Sequence, residues 1–370
     1  MKMLSFLRSF PLTALLSPLS GLVLCVLLIV VFAQNPAAAL ASFFTGNFTS
    51  AYYFGTMLNT ATFLMTAGAG AALAIKSGNM NLGGEGQVYA GGFVTALVLG
   101  TNWAQGTGTP ALAFVTALLA ALVAGACLAL IAAVLKETRG AEVLLTSFLA
   151  SAAVLPLIDG LLLSLMKNNP ESQHLIALPY IAERFRLPQL LAPSPFNASF
   201  FAACALCLLL WLFLRATTAG RHLLIWGKAP LFARTAGYSS VAASFGSLAV
   251  SGALHALTGF FAVTGTYYTC HKDFYVNMGW NALSAALIVS SHPLLLLPSS
   301  LVLAWLYTAA GRVGLTQGFA FDIAGIVQGV ILFAVAIPFS FEKLTEHRQR
   351  AATGHRQSNA ADGSAHKEAT

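Results

Sequence analysis

The polar side chains with the most chemical capacity fall in one short stretch of an otherwise apolar chain. Residues 78–92 read GNMNLGGEGQVYAGG. The stretch holds one carboxylate, Glu85, and three amides, Asn79, Asn81 and Gln87, set among Gly83, Gly84 and Gly86. Amides can grip an uncharged polar solute, since each both donates and accepts. Glycine at this density argues against continuous regular helix. Unwound backbone at membrane depth is tolerated only when buried in protein or lining a wet cavity. Interrupted helices of this kind build transport sites. An ionised residue there costs about 2.5–3.5 kcal/mol on insertion scales unless it is paired. Spacing alone leaves a second reading equally open: a short cytoplasmic turn with a solvated Glu85.

A second stretch, residues 215–240, reads RATTAGRHLLIWGKAPLFARTAGYSS. It carries Arg215, Arg221, Lys228 and Arg234 and no acidic residue. Leu223, Leu224, Ile225, Trp226, Leu231 and Phe232 make it amphipathic. It reads either as a helix on the membrane surface or as a docking helix for a cytoplasmic partner.

Other candidates carry less. His255 has no second His or carboxylate at helical spacing and reads as a hydrogen-bonded packing residue. Asp159, three residues after Pro156, needs a partner that the sequence does not name. His271, Lys272 and Asp273 form either a mouth or plain solvated charge. Cys204 and Cys207 make a C-x-x-C on an apolar run, where small apolar side chains are expected rather than a metal or redox site. No G-x-x-x-x-G-K-[ST] phosphate loop, H-E-x-x-H or G-x-S-x-G occurs. No converging catalytic set is read, so an enzyme is not expected.

The elements that must position these residues are membrane helices. The chain is 57% hydrophobic and 8% charged, with mean hydropathy +0.77. Soluble domains carry about 25% charged residues, so lipid is the main solvent here. The expected class is all-α, a polytopic membrane helical bundle. A hydrocarbon core of ~30 Å takes about 20 apolar residues per helix. Runs of that kind fall at 12–33, 52–75, 88–101, 110–135, 141–166, 200–214, 241–265, 279–291, 294–310 and 322–341. That gives about ten spans, or nine if the short eighth is a half-helix. The first resembles a signal peptide, with Ala37-Ala38-Ala39 after it, but is long enough to cross and is read as an uncleaved span.

With both termini cytoplasmic, Lys and Arg divide 14 inside against 5 outside, as the positive-inside rule requires. Clusters of this kind orient spans, and no nucleic-acid partner is expected from the net charge of +7. Residues 1–344 are read as one membrane domain, 167–197 as an outside loop and 345–370 as a disordered cytoplasmic tail. Close small residues (Gly68 and Gly70, Gly91 and Gly92, Ser251 with Gly252 and Gly259, Gly325 and Gly329) read as helix-packing positions.

Both irregular stretches resemble bacterial ABC permeases of the branched-chain amino acid, ribose and nucleoside group. The likeness is nearest to the longer permease of nucleoside-type or riboflavin-type importers. A family string like G-[LM]-x-N-[IL]-G-x-E-G-Q reads here Gly78-Asn79-Met80-Asn81-Leu82-Gly83-Gly84-Glu85-Gly86-Gln87. A cytoplasmic G-x-N-P-x-A-A-[RK]-x-[AS]-G reads Gly227-Lys228-Ala229-Pro230-Leu231-Phe232-Ala233-Arg234-Thr235-Ala236-Gly237. The next span, usually S-G-A-x-A-G-x-A-G, begins at Ser251-Gly252-Ala253. Lys228-Ala229 departs from the polar pair before Pro230, and His255-Ala256 from the small residues expected there.

The resemblance implies a permease of the bacterial inner membrane. It works with a cytoplasmic ABC ATPase, a second permease subunit of different sequence and an extracytoplasmic substrate-binding lipoprotein. ATP is used by the ATPase, and this chain binds no cofactor or metal. Gly227, Lys228, Ala229, Pro230, Arg234, Ala236 and Gly237 would couple to the ATPase. Asn79, Asn81, Gly83, Gly84, Glu85, Gly86 and Gln87 would line or gate the path. The expected solute is a nucleoside first, then riboflavin or a ribose-type sugar. The rival is an ion-coupled secondary transporter, which needs buried titratable groups; Glu85, Asp159 and Asp322 are the few on offer.

Overall fold

The computed structural model describes residues 12–106, 108–166 and 176–335. The expected tail at 345–370 and the basic residues Lys2 and Arg8 lie outside that range. Thirteen α-helices of six or more residues organise the described residues. They are α1 Leu12–Phe32, α2 Pro36–Thr45, α3 Ala51–Lys76, α4 Gly84–Gly100, α5 Pro110–Arg139, α6 Val143–Met166 and α7 Ser199–Ala216. There follow α8 Thr218–Lys228, α9 Pro230–Thr235, α10 Ser240–Ala262, α11 Met278–Ile288, α12 Leu296–Thr316 and α13 Ile323–Val335. Among the described residues there is no strand beyond the isolated bridges Ala177–His271 and Gln189–Asn197.

Local chemistry sets the ends. The Ser50 hydroxyl accepts from the Tyr53 amide to open α3, and that of Ser239 accepts from the Ala242 amide to open α10. Proline begins α2, α5 and α9, where its missing N–H costs nothing.

Helices α3, α5, α6, α7, α10 and α12 are long and apolar enough to cross a membrane. Helices α3 and α10 are buried along most of their length, and α5, α6 and α7 turn leucines and valines outward. That pattern, apolar outside as well as inside, belongs to a multi-pass membrane protein. Small residues let the buried helices touch. A methyl on Gly252 would overlap the Gly125 carbonyl, and one on Gly91 would overlap the backbone of Ala256. Among the described residues, Gly329 has no atom within 4 Å of such a methyl, and the atoms nearest to one on Gly325 belong to Asp322 of the same segment. Neither packs on another helix among the described residues.

Most expected runs match a helix. Three differ. Helix α4 begins at Gly84 rather than 88, so Glu85, Gly86 and Gln87 are helical. Packing against α6 and α10 overrides the weak propensity of its glycines. Helix α11 has only 11 residues, the half-length that the short eighth run suggested. Helix α2 was not anticipated; Ala39 and Phe43 bury its inner face.

Candidate functional site

The site forms where α3 ends and α4 begins. Helix α3 closes with a Schellman turn. The Asn79 amide donates to the Ala74 carbonyl at 2.9 Å and that of Gly78 to Ile75 at 3.1 Å. Gly78 sits at φ +72°, where a side chain would be strained. Residues 78–83 then run unwound alongside α10, rung by rung. The Asn79 side-chain amide donates to Ser247 Oγ at 2.9 Å, and that of Asn81 to Ser251 Oγ at 3.0 Å. Gly84 lies against the ring of His255, near the middle of α10.

Every side-chain amide on this climb is held. Asn81 and Gln87 donate to each other's oxygens at 2.9 and 3.1 Å. Asn81 Oδ1 also accepts from the Gly83 amide at 2.9 Å. Lys136 Nζ donates to Asn79 Oδ1 at 2.5 Å and to Ser244 Oγ at 3.0 Å. Ser147 and Ser151 of α6 accept from the Leu82 and Gly86 amides at 3.0 and 2.7 Å. Side chains thus satisfy the Leu82, Gly83 and Gly86 amides of this irregular stretch.

Glu85 is 9% exposed. Its Oε1 accepts from the Gly279 amide at 2.9 Å and the Trp280 amide at 3.2 Å. These are orphan donors in the first turn of α11, whose preceding residue Asn277 offers no side-chain cap. Two helices, α4 and α11, therefore begin at one carboxylate, which faces the positive end of both. A solvated Glu85 in a plain turn does not describe this geometry. The void beside it, touched by Asn81, His255 and Trp280, measures about 10 Å³. That is room for one water at most. His255 is buried, with Nδ1 2.8 Å from the Ser251 carbonyl, the packing role expected of it.

The 215–240 connector folds as α8 and α9. Gly227 and Lys228 end α8, Ala229 links the two, and Pro230 opens α9. Trp226 and Ala233 are buried beneath it, whereas Leu231 and Phe232 are 75% and 61% exposed. Arg234 points to a cleft of about 700 Å³ that it shares with Gly78, Lys136 and Glu137. Ala236 and Gly237, the latter at φ +80°, turn the chain into α10. The two candidate segments meet: Gly227 packs on the Lys76 carbonyl and on Gly78.

Two readings elsewhere also resolve. Asp159 accepts from Tyr89 Oη at 2.7 Å and lies 3.9 Å from Lys272 Nζ, so Lys272 is paired. The cysteines among the described residues are free thiols.

Sequence reasoning passed over the serines. Ser240, Ser244, Ser247 and Ser251 recur at three- and four-residue spacing on α10, a polar stripe on an apolar helix that was there to be read. It also passed over Glu137, whose Oε1 accepts from Ser240 and Ser244 at 2.9 and 2.7 Å.

A bundle of apolar helices, two of them starting at one buried carboxylate, defines a multi-pass membrane protein with a discontinuous-helix joint. Residues 53–336 match the family described as branched-chain amino acid transport system / permease component, and the chain belongs to that family. Its curated relatives include import and ABC transporter permeases. The "Probable riboflavin import permease protein RfuC" of Treponema pallidum is 34% identical, covering 87% of this chain and 84% of its own. The "Guanosine ABC transporter permease protein NupP" of Bacillus subtilis is 22% identical over 89% and 94% of the two chains. The "Nucleoside ABC transporter permease protein NupB" of Lactococcus lactis is 24% identical over 90% and 92%.

Proposed function

We propose that this chain is the membrane-spanning permease subunit of an ABC importer for a small polar ring-bearing solute, powered by a separate ATPase. The observation that carries it is the joint at Glu85, which ties together the starts of two interrupted helices in a chain of permease ancestry. Such a joint can open only by parting α4 from α11, and that is how a gate is built.

Within this reading the solute is a flavin or a nucleoside. Riboflavin stands first, because the flavin permease shares 34% identity and the nucleoside permeases 22% and 24%; a ribose-type sugar follows. Residues 79–87 gate the path. Leu231 and Phe232 of α9 dock on the ATPase, and Gly227 to Gly237 around them form the coupling segment that carries its motion. The partners are that ATPase, a second permease of different sequence and an extracytoplasmic binding lipoprotein. The protein lies in the bacterial inner membrane with both termini cytoplasmic, about ten spans within 1–344, and a cytoplasmic tail at 345–370.

The test is uptake by proteoliposomes holding the whole complex and its binding protein, offered radiolabelled riboflavin, guanosine or ribose. Accumulation that requires ATP and the ATPase is expected, with riboflavin highest. Accumulation driven by an imposed ion gradient without ATP would sink the importer reading in favour of a secondary transporter.

A further inference from the structure

A methyl group on Gly227 would overlap the Lys76 carbonyl and stand 2.9 Å from the carbonyl carbon of Ser77. One on Gly78 would stand 3.2 Å from Gly227 Cα. The end of α8 and the Schellman turn of α3 thus meet backbone to backbone, with no side chain between them. The turn is held as firmly on its other side. Asn79 is fully buried and bonded to Ser247 of α10 and Lys136 of α5. Beyond it, Asn81 is locked to Gln87 in the first turn of α4, and Glu85 holds the start of α11.

We propose that Gly227 and Gly78 form the mechanical junction through which the coupling segment moves the Glu85 joint. The proposal rests on the importer reading above and assigns positioning roles to two residues on the route between docking surface and gate. Backbone contact suits this task. Long side chains absorb a small displacement by changing rotamer, and two glycines in contact cannot. A shift of α8 must therefore displace the turn at 76–78, and the turn has only the unwound residues 79–83 in which to yield. The serine and lysine bonds along that strip then exchange or break, and they do so beside the start of α4. Coupling through a contiguous packed route needs direct evidence of coupling rather than adjacency, so the test must read motion.

The experiment is hydrogen exchange on the complete transporter in nanodiscs, with and without Mg-ATP, following amides of residues 77–90. Three forms are compared: the natural chain, Gly227→Ala and Gly78→Asn. Asparagine tolerates the left-handed conformation, so the second variant keeps the turn and merely crowds Gly227. In the natural complex, ATP should change exchange in this segment by about tenfold or more, and both variants should lose most of that response while retaining the ATPase. An unchanged response in both variants would overturn the junction. So would a natural complex whose 77–90 amides ignore ATP while the ATPase is bound. Loss of the ATPase from Gly227→Ala would overturn it too, by making Gly227 a docking residue. If the natural chain binds no ATPase at all, the importer reading itself fails, and the junction with it.

Discussion

Asn81 and Gln87 hold each other by both ends, each amide donating to the other's oxygen at 2.9 and 3.1 Å. This reciprocal pair folds the unwound strip back onto the first turn of α4. The side-chain bonds of Gln87 run to Asn81, whereas Asn81 also bonds Ser251 and the Gly83 amide. Removing Asn81 leaves the buried Gln87 amide unpaired, at about 1–3 kcal/mol, and removing Gln87 takes one of two partners from each end of Asn81.

Replacing Asn81 by Leu or Gln87 by Leu should each lower the thermal midpoint of the purified complex by several degrees. The double variant should cost clearly less than the two singles combined, because neither amide is then stranded. Additive losses would mean that the pair is not the relevant interaction.

Glu85→Gln keeps an acceptor for the Gly279 and Trp280 amides and removes the charge. Charge-assisted bonds are about twice as strong as neutral ones, so the start of α11 should loosen by roughly 1–2 kcal/mol. The complex should still assemble, and uptake should fall by about tenfold, as that loss at the gate would produce. Normal uptake would remove Glu85 from the gate.

Lys136→Met strips Asn79 Oδ1 of its donor in a fully buried site. A stability loss of about 1–3 kcal/mol is expected, and Asn79→Leu in the same chain should recover part of it. Denaturation of all four forms completes the cycle; no recovery would place the role of Lys136 elsewhere.

Leu231 and Phe232 are exposed, and among the described residues neither belongs to a buried hydrophobic cluster. Changing both to Ser should leave the folding of the permease intact by gel filtration, within ±0.5 kcal/mol per site, and abolish co-purification of the ATPase. An ATPase that still co-purifies would move the docking surface away from α9.

Gly252→Leu should prevent a stable bundle from forming, since the side chain would enter the Gly125 carbonyl of α5. Forced overpacking of this kind costs about 1–3 kcal/mol or more. A monodisperse, fully active variant would show that α5 and α10 can separate.

How much of this could be read from residues alone follows from the kind of partner each group takes. The break near 78–83 was legible because glycine and amides have no other reason to interrupt an apolar run. The shortness of α11 was legible as a shortage of apolar residues. The partners of Glu85 were not, because they are backbone amides 194 residues away, and any residue type supplies those. The Lys136–Asn79 contact was hidden for a related reason: a lysine near a helix end is first read as an orientation signal. Helix α2 was overlooked because ten residues beginning with Pro36 and rich in alanine look like a connector when runs of 20 are sought. What a side chain does to its own segment is readable; what it does for a distant one waits on the fold.

The void beside Glu85, about 10 Å³, has a consequence for the cell's energy supply. A proton needs a file of water molecules to cross a protein, and one isolated water makes no file. In this conformation the void offers no proton wire at that point. Any proton current across such a joint scales with the number of copies and with the fraction of time each one stands open.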